Sequence, residues 1–249
     1  MSETTAPWPY PALIAHRGGG RLAPENTLAG MRAARNHGFT FVEYDVKLSS
    51  DGVLFLLHDD LLDRTTDGQG TARALTWDAL QTLDAGRYLD SSFEGERLIS
   101  FETVAEYTLA EGLLSNVEIK PCPGREHETG TAVALAIRQW WAQAAVQPLV
   151  SSFSEDALAA AHVAAPEVPR ALLVKEVPAD WHDRLVRHDC VALNILERHV
   201  TQDIVVAVQE KGYRVAAYTV NDPGRARELF DWGIDALFTD ELGRIGPTA

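Results

Sequence analysis

Residues 12–47 read ALIAHRGGGRLAPENTLAGMRAARNHGFTFVEYDVK. An apolar run, ALIAH (12–16), leads through three glycines into a helical pattern whose start is marked by Pro24 and Asn26 and whose stop is Gly38. A second strand-like run, FVEYDVKLS (41–49), follows at once. Strand, helix, strand is the unit from which parallel sheets with outer helices are built. The unit recurs along the chain. Strand-like runs stand at 114–120, 148–153, 170–175, 190–195, 214–220 and 235–240, and helical patterns at about 127–145, 154–164, 178–188, 201–211 and 222–232 fill the gaps between and after them. A further run, VLFLLHD (53–59), lies across an Asp51-Gly52 turn and reads as a hairpin partner of the second strand. Setting it aside leaves eight strands. Periodicity alone also admits an open doubly wound sheet, but eight alternating units favour a (β/α)8 barrel in one domain spanning residues 1–249. Residues 60–113 break the rhythm with turn-rich DRTTDGQGTAR, a short helix TWDALQTLDAG capped by Thr76 and stopped at Gly86, and SSFEGERLIS. They read as an insertion after the second strand, on the rim where loops shape a pocket.

Composition narrows the function. Apolar residues make up 46% of the chain, enough for a large core, while no apolar stretch reaches the roughly 18 residues of a membrane-spanning helix. The formal charge is −14, from 22 basic against 36 acidic residues, which argues against nucleic acid as a partner. The N-terminus has no basic start, and cleavage of a leader would remove His16, so a cytoplasmic location is expected. Cys122 and Cys190 have no metal-ligand spacing and suit a reducing compartment.

Strand alternation puts Glu43, Asp45 and Lys47 on one face, with Val42, Tyr44 and Val46 on the other. NVEIK repeats the pattern with Asn116, Glu118 and Lys120. Two readings stand. The charges either form ion pairs with Lys47 and Lys120, or Glu43, Asp45 and Glu118 form an oxygen-rich site for a hard divalent cation at the barrel mouth. His16 and His58 each close a strand beside that site and suit a general acid and base, because imidazole titrates near neutrality. The other six histidines fall in helices or connections. The glycines at 18–20 form either a flexible turn or a loop whose amides reach a phosphate oxygen.

Taken together, these stretches resemble the glycerophosphodiester phosphodiesterases. The resemblance runs from about Ile14 to the C-terminus and rests on HRG with PENT (16–18, 24–27), Glu43-x-Asp45, His58-Asp59, Glu118-x-Lys120, SSF (151–153), YTVN (218–221) and the closing Thr239-Asp240. The text between these motifs is similar to that of cytosolic bacterial members associated with glycerol-phosphate uptake. Tyr218 stands where many members carry tryptophan. The resemblance implies metal-dependent hydrolysis of glycerophosphodiesters, such as glycerophosphocholine and glycerophosphoethanolamine, to an alcohol and glycerol 3-phosphate. It implies one divalent ion (Mg2+ or Ca2+, with Mn2+ or Co2+ as alternatives) held by Glu43, Asp45 and Glu118. It further implies His16 and His58 as the acid–base pair, Arg17 and Lys120 on the phosphate, and Phe153 and Asn221 lining the pocket. Three carboxylates against Arg17 and Lys120 leave a local charge of −1, which a divalent ion turns to +1 and so makes attractive to an anionic phosphodiester. The substrate is then a small molecule with no stable membrane association, and a homodimer is left open. The rivals are a phospholipase-type barrel acting on membrane lipid, for which the chain lacks a basic docking run, and a non-catalytic phosphodiester-binding barrel.

Overall fold

The computed structural model describes residues 8–247; the first seven residues, part of the leader reading, lie outside them. Eight parallel strands close into a barrel: β1 (Leu13–Ala15), β2 (Phe41–Leu48), β4 (Leu114–Ile119), β5 (Leu149–Ser152), β6 (Arg170–Val174), β7 (Ala192–Leu196), β8 (Arg214–Tyr218) and β9 (Ala236–Thr239). Pairing of β1 with both β9 and β2 completes the ring, which excludes the open sheet. The hairpin strand β3 (Leu54–Leu56) runs antiparallel to β2, after a turn in which Gly52 adopts φ 83°.

Alternation explains the two cores. Outward-facing Val42, Tyr44 and Val46 of β2 join one large cluster with residues of the helices, including Met31, Val104, Val133 and Leu158. Inward-facing Phe41, Leu149, Ala171, Ala192, Ala216 and Ala236 fill the lower barrel, closed below by Tyr10, which stacks on Phe41. Small residues on four strands make room for the rings of Phe41 and Tyr10.

The helices are α1 (Leu28–Asn36), α2 (Trp77–Leu80), α3 (Phe101–Glu111), α4 (Glu126–Trp140), α5 (Glu155–Ala164), α6 (Trp181–Arg187), α7 (Gln202–Glu210) and α8 (Pro223–Asp231). Three differ from expectation. α1 is capped by Thr27, whose hydroxyl accepts from the Gly30 amide, rather than started at Asn26. α2 is a single turn ending well before Gly86, and Thr76 makes no side-chain cap. α3, an eleven-residue helix within the stretch read as insertion, buries Phe101, Val104 and Ala105 in the main core. The stretch before α3 builds a satellite core instead, from Leu57, Leu62, Ala72, Leu80, Ala85 and Leu98 packed on Phe55 of β3. Among the described residues no helix is long and apolar enough to cross a membrane.

Candidate active site

The register of β2 against β4 pairs Glu43 with Asn116 and Asp45 with Glu118. The three carboxylates therefore meet inside the upper barrel, with one oxygen of each within 4.8 Å of the others and all three side chains buried. Burial, then Asp45 and Glu118 as neighbours, pushes Glu43 well above the ordinary carboxylate range. Burial likewise raises Glu118 to about 7, with Asp45 adding and Lys120 opposing. Asp45 moves the other way: burial raises it, but Lys120, Arg17, His58 and a hydrogen bond from Asn26 together hold it well below the ordinary range. Glu43 Oε2 accepts from the Arg17 amide at 2.8 Å, whereas Oε1 is buried with no donor. A buried carboxylate oxygen without a partner is costly, and a divalent cation is the group whose charge and oxygen preference answer it.

Two cations face the cluster. Lys120 Nζ lies 2.6 Å from Glu118 Oε1 and 3.5 Å from Asp45 Oδ1. It also stands 5.3 Å from the ring centre of Phe153, which meets Tyr218 edge-on at 5.6 Å. Arg17 donates from Nη1 to Glu25 at 2.9 Å, while its Nε, 3.6 Å from Asp45, is buried without a hydrogen-bond partner. Lys47 is buried and committed to Asp60 Oδ1 and the Lys120 carbonyl.

The imidazoles stand on either side. His16 follows β1, with Nε2 3.9 Å from Glu43 Oε2 and Nδ1 2.6 Å from Asp240. The Leu57 amide bonds the Asp45 carbonyl at 3.2 Å, so the exit of β3 brings His58 beside the same carboxylates. His58 Nδ1 lies 2.6 Å from Asp59, a carboxylate that Arg64 also grips. Burial lowers the His58 pKa, with Arg17 and Lys120 adding to the effect and Asp45 opposing it.

Two expectations change. The amides of residues 17–21 are all taken by the protein: Arg17 by Glu43 Oε2, and the next four by the carbonyls of Glu43, Arg17, His16 and Asp240. The glycines serve close packing rather than phosphate approach, since an added Cβ at Gly18 would meet the Gly30 carbonyl carbon at 2.9 Å and one at Gly20 would overlap the Asp240 backbone. Asn221, expected to line the pocket, has its amide committed to Asp240 through Nδ2 to Oδ2 (2.8 Å) and Oδ1 from the backbone N–H (2.8 Å). The sequence assigns no site role to Asp240, Asn26, Glu25 or Arg64. Asn26 brackets Asp45 by donating to its carboxylate and accepting from its amide, and Glu25 links Arg17 to Arg64. The PENT and TD motifs carried the only signal for Glu25, Asn26 and Asp240, and Arg64 carried none, because the partners are distant in sequence.

A cavity of about 780 Å³ opens beside the cluster, lined by His58, Asp60, Glu118, Lys120, Glu126 and Phe153, in the size range of small-molecule sites. Residues 16–244 match the model of the glycerophosphoryl diester phosphodiesterase family. A glycerophosphodiester phosphodiesterase of Caldanaerobacter subterraneus is 30% identical over 234 residues, covering 92% of this chain and 93% of that one. The Oleispira antarctica phosphodiesterase, solved in complex with the product sn-glycerol-3-phosphate, is 38% identical with a TM-score of 0.91, covering 95% of both chains. A glycerophosphodiester phosphodiesterase from Agrobacterium tumefaciens superimposes with a TM-score of 0.78 at 27% identity, covering 92% of this chain and 97% of that one. With barrel, acidic cluster and cavity in place, the match over nearly the whole length settles the kinship: the chain belongs to the glycerophosphoryl diester phosphodiesterase family.

Proposed function

We propose that the chain hydrolyses small glycerophosphodiesters, glycerophosphocholine and glycerophosphoethanolamine among them, to an alcohol and sn-glycerol 3-phosphate. One observation carries the reading: three buried carboxylates, two cations and two imidazoles converge at the mouth of one barrel beside a cavity. Glu43, Asp45 and Glu118 would hold one divalent ion, Mg2+ or Ca2+, for which the unpartnered Glu43 oxygen argues. Bound there, the ion supplies Lewis-acid stabilisation of charge developing on the phosphoryl group.

The chain's own residues supply the rest. Arg17, with a free buried Nε, and Lys120 bind the phosphate oxygens. Phe153 and Tyr218 form an aromatic wall beside them. His58, kept neutral by its burial and cationic neighbours, takes the proton of the nucleophile. His16, backed by the Asp240 carboxylate, gives a proton to the departing alcohol oxygen. The stretch from Asp60 up to α3 shapes the rim of a single-domain enzyme that acts in the cytoplasm without a nucleic-acid partner.

Exhaustive dialysis against EDTA is expected to abolish glycerol 3-phosphate release from glycerophosphocholine, and Mg2+ or Ca2+ to restore it. Undiminished turnover after chelation removes the metal from the reading. A metal-loaded enzyme that releases no glycerol 3-phosphate from any glycerophosphodiester removes the reaction itself.

A further inference from the structure

Register brings together two residues that are 224 positions apart. β1 and β9 pair Ala15 with Thr239, and the His16 amide bonds the Thr239 carbonyl at 3.0 Å. His16 and Asp240 are thus the next residues out of adjacent strands, and Asp240 Oδ1 meets His16 Nδ1 at 2.6 Å. The carboxylate has little freedom to turn. Its Oδ2 accepts from Asn221 Nδ2, its amide donates to Asn221 Oδ1, and its carbonyl accepts from the Arg21 amide at 3.0 Å. The Gly20 position admits no side chain against this backbone. One oxygen, Oδ1, is left for the imidazole.

We propose that Asp240, locked in place by Asn221, is a positioning residue that keeps the proton of His16 on Nδ1 and leaves Nε2 to exchange protons with the substrate. An ionised carboxylate only accepts, so the imidazole nitrogen facing it carries the hydrogen. Nε2 then points toward the carboxylate cluster, where Glu43 Oε2 lies 3.9 Å away. No proton crosses to Asp240; it remains a carboxylate and stabilises the imidazolium. Asp59 stands in the same relation to His58, but Arg64 occupies both of its oxygens as well. The carboxylate behind His16 is held by a neutral amide, so its charge is undivided. Asn221 acts through Asp240 rather than on the substrate.

The proposal rests on the hydrolase reading for its kinetic consequence, but not for its spectroscopic one. In the full-length wild-type enzyme, ring ¹⁵N resonances of His16, assigned by their loss in His16→Gln, should show the neutral ring carrying its hydrogen on Nδ1. In Asp240→Asn, Nδ1 should lose that fixed protonation. With glycerophosphocholine and saturating Mg2+, Asp240→Asn should lower kcat about 10²–10⁴-fold, with KM held within about threefold. Asn221→Ala, which keeps the carboxylate but frees it to rotate, should lower kcat by a smaller factor with the same KM. A wild-type His16 protonated on Nε2 alone, or an unchanged kcat in both variants, overturns the proposal. If the wild type releases no glycerol 3-phosphate, the hydrolase reading fails while the ring spectrum still decides how His16 is held.

Discussion

His58 sits in an environment unlike that of an ordinary surface histidine. Its neutral form is favoured by burial first and then by the nearby Arg17 and Lys120, against the pull of Asp45, and its Nδ1 is tied to Asp59. An imidazole neutral at pH 7 and aimed at a cavity is suited to accept a proton, and such a group typically accelerates a reaction by about 10²–10⁴. His58→Ala should therefore reduce kcat by roughly that factor, with the fold intact because the side chain belongs to no core cluster. Circular dichroism and a steady-state assay test both halves; wild-type turnover in the variant would remove His58 from the chemistry. At this scale the carboxylates and both histidines were legible in the sequence, because strand alternation announces which side chains share a face. Asp240 and Asn26 were not. Their roles depend on register between segments far apart in the chain, which no local pattern encodes.

Helices α4 and α5 approach so closely that the Gly130 Cα faces the Ala157 backbone, and a Cβ there would overlap the Ala157 carbonyl oxygen. Two effects compete in Gly130→Ala. Helix propensity favours alanine by about 1 kcal/mol. Overpacking against an immovable backbone typically costs about 1–3 kcal/mol. The clash wins because the partner is a carbonyl rather than a flexible side chain, and the net loss of up to about 2 kcal/mol lowers Tm by up to roughly 8 °C in a domain of this size. A rise in Tm by calorimetry would show that the helices can separate at no cost. The same scale explains what the sequence concealed. α3 carries its own signals, Ser100 capping the Thr103 amide and Gly112 in the left-handed region after its last turn, yet it directly follows a turn-rich segment and was absorbed into it. α2 showed the reverse: its pattern continued past Leu80, but the chain leaves the helix to pack Ala85 into the satellite core.

For the molecule as a whole, the folded barrel keeps a concentration of negative charge where water cannot dissipate it. Glu118 bonds its proton more tightly folded than unfolded, with its pKa raised to about 7 from an ordinary 4.5. The sign follows from linkage: between those values the native state binds more protons, so this group's contribution to stability falls as pH rises and is gone above about 7. Asp45, lowered rather than raised, acts only in acid, below about pH 4, and does not offset the loss. A divalent ion reverses the balance, because it binds the deprotonated oxygens of the native cluster and has no such site in the unfolded chain. At a concentration of 100 times Kd the gain is about 2.7 kcal/mol. That gain raises Tm by roughly 5–11 °C. At pH 6 the ion must first displace the Glu118 proton, so the same total Mg2+ should raise Tm less than it does at pH 8. Differential scanning calorimetry of EDTA-treated protein, with and without Mg2+, reads this without any substrate. A Tm gain that is absent at both pH values, or larger at pH 6 than at pH 8, would mean that the three carboxylates do not act as a cation site.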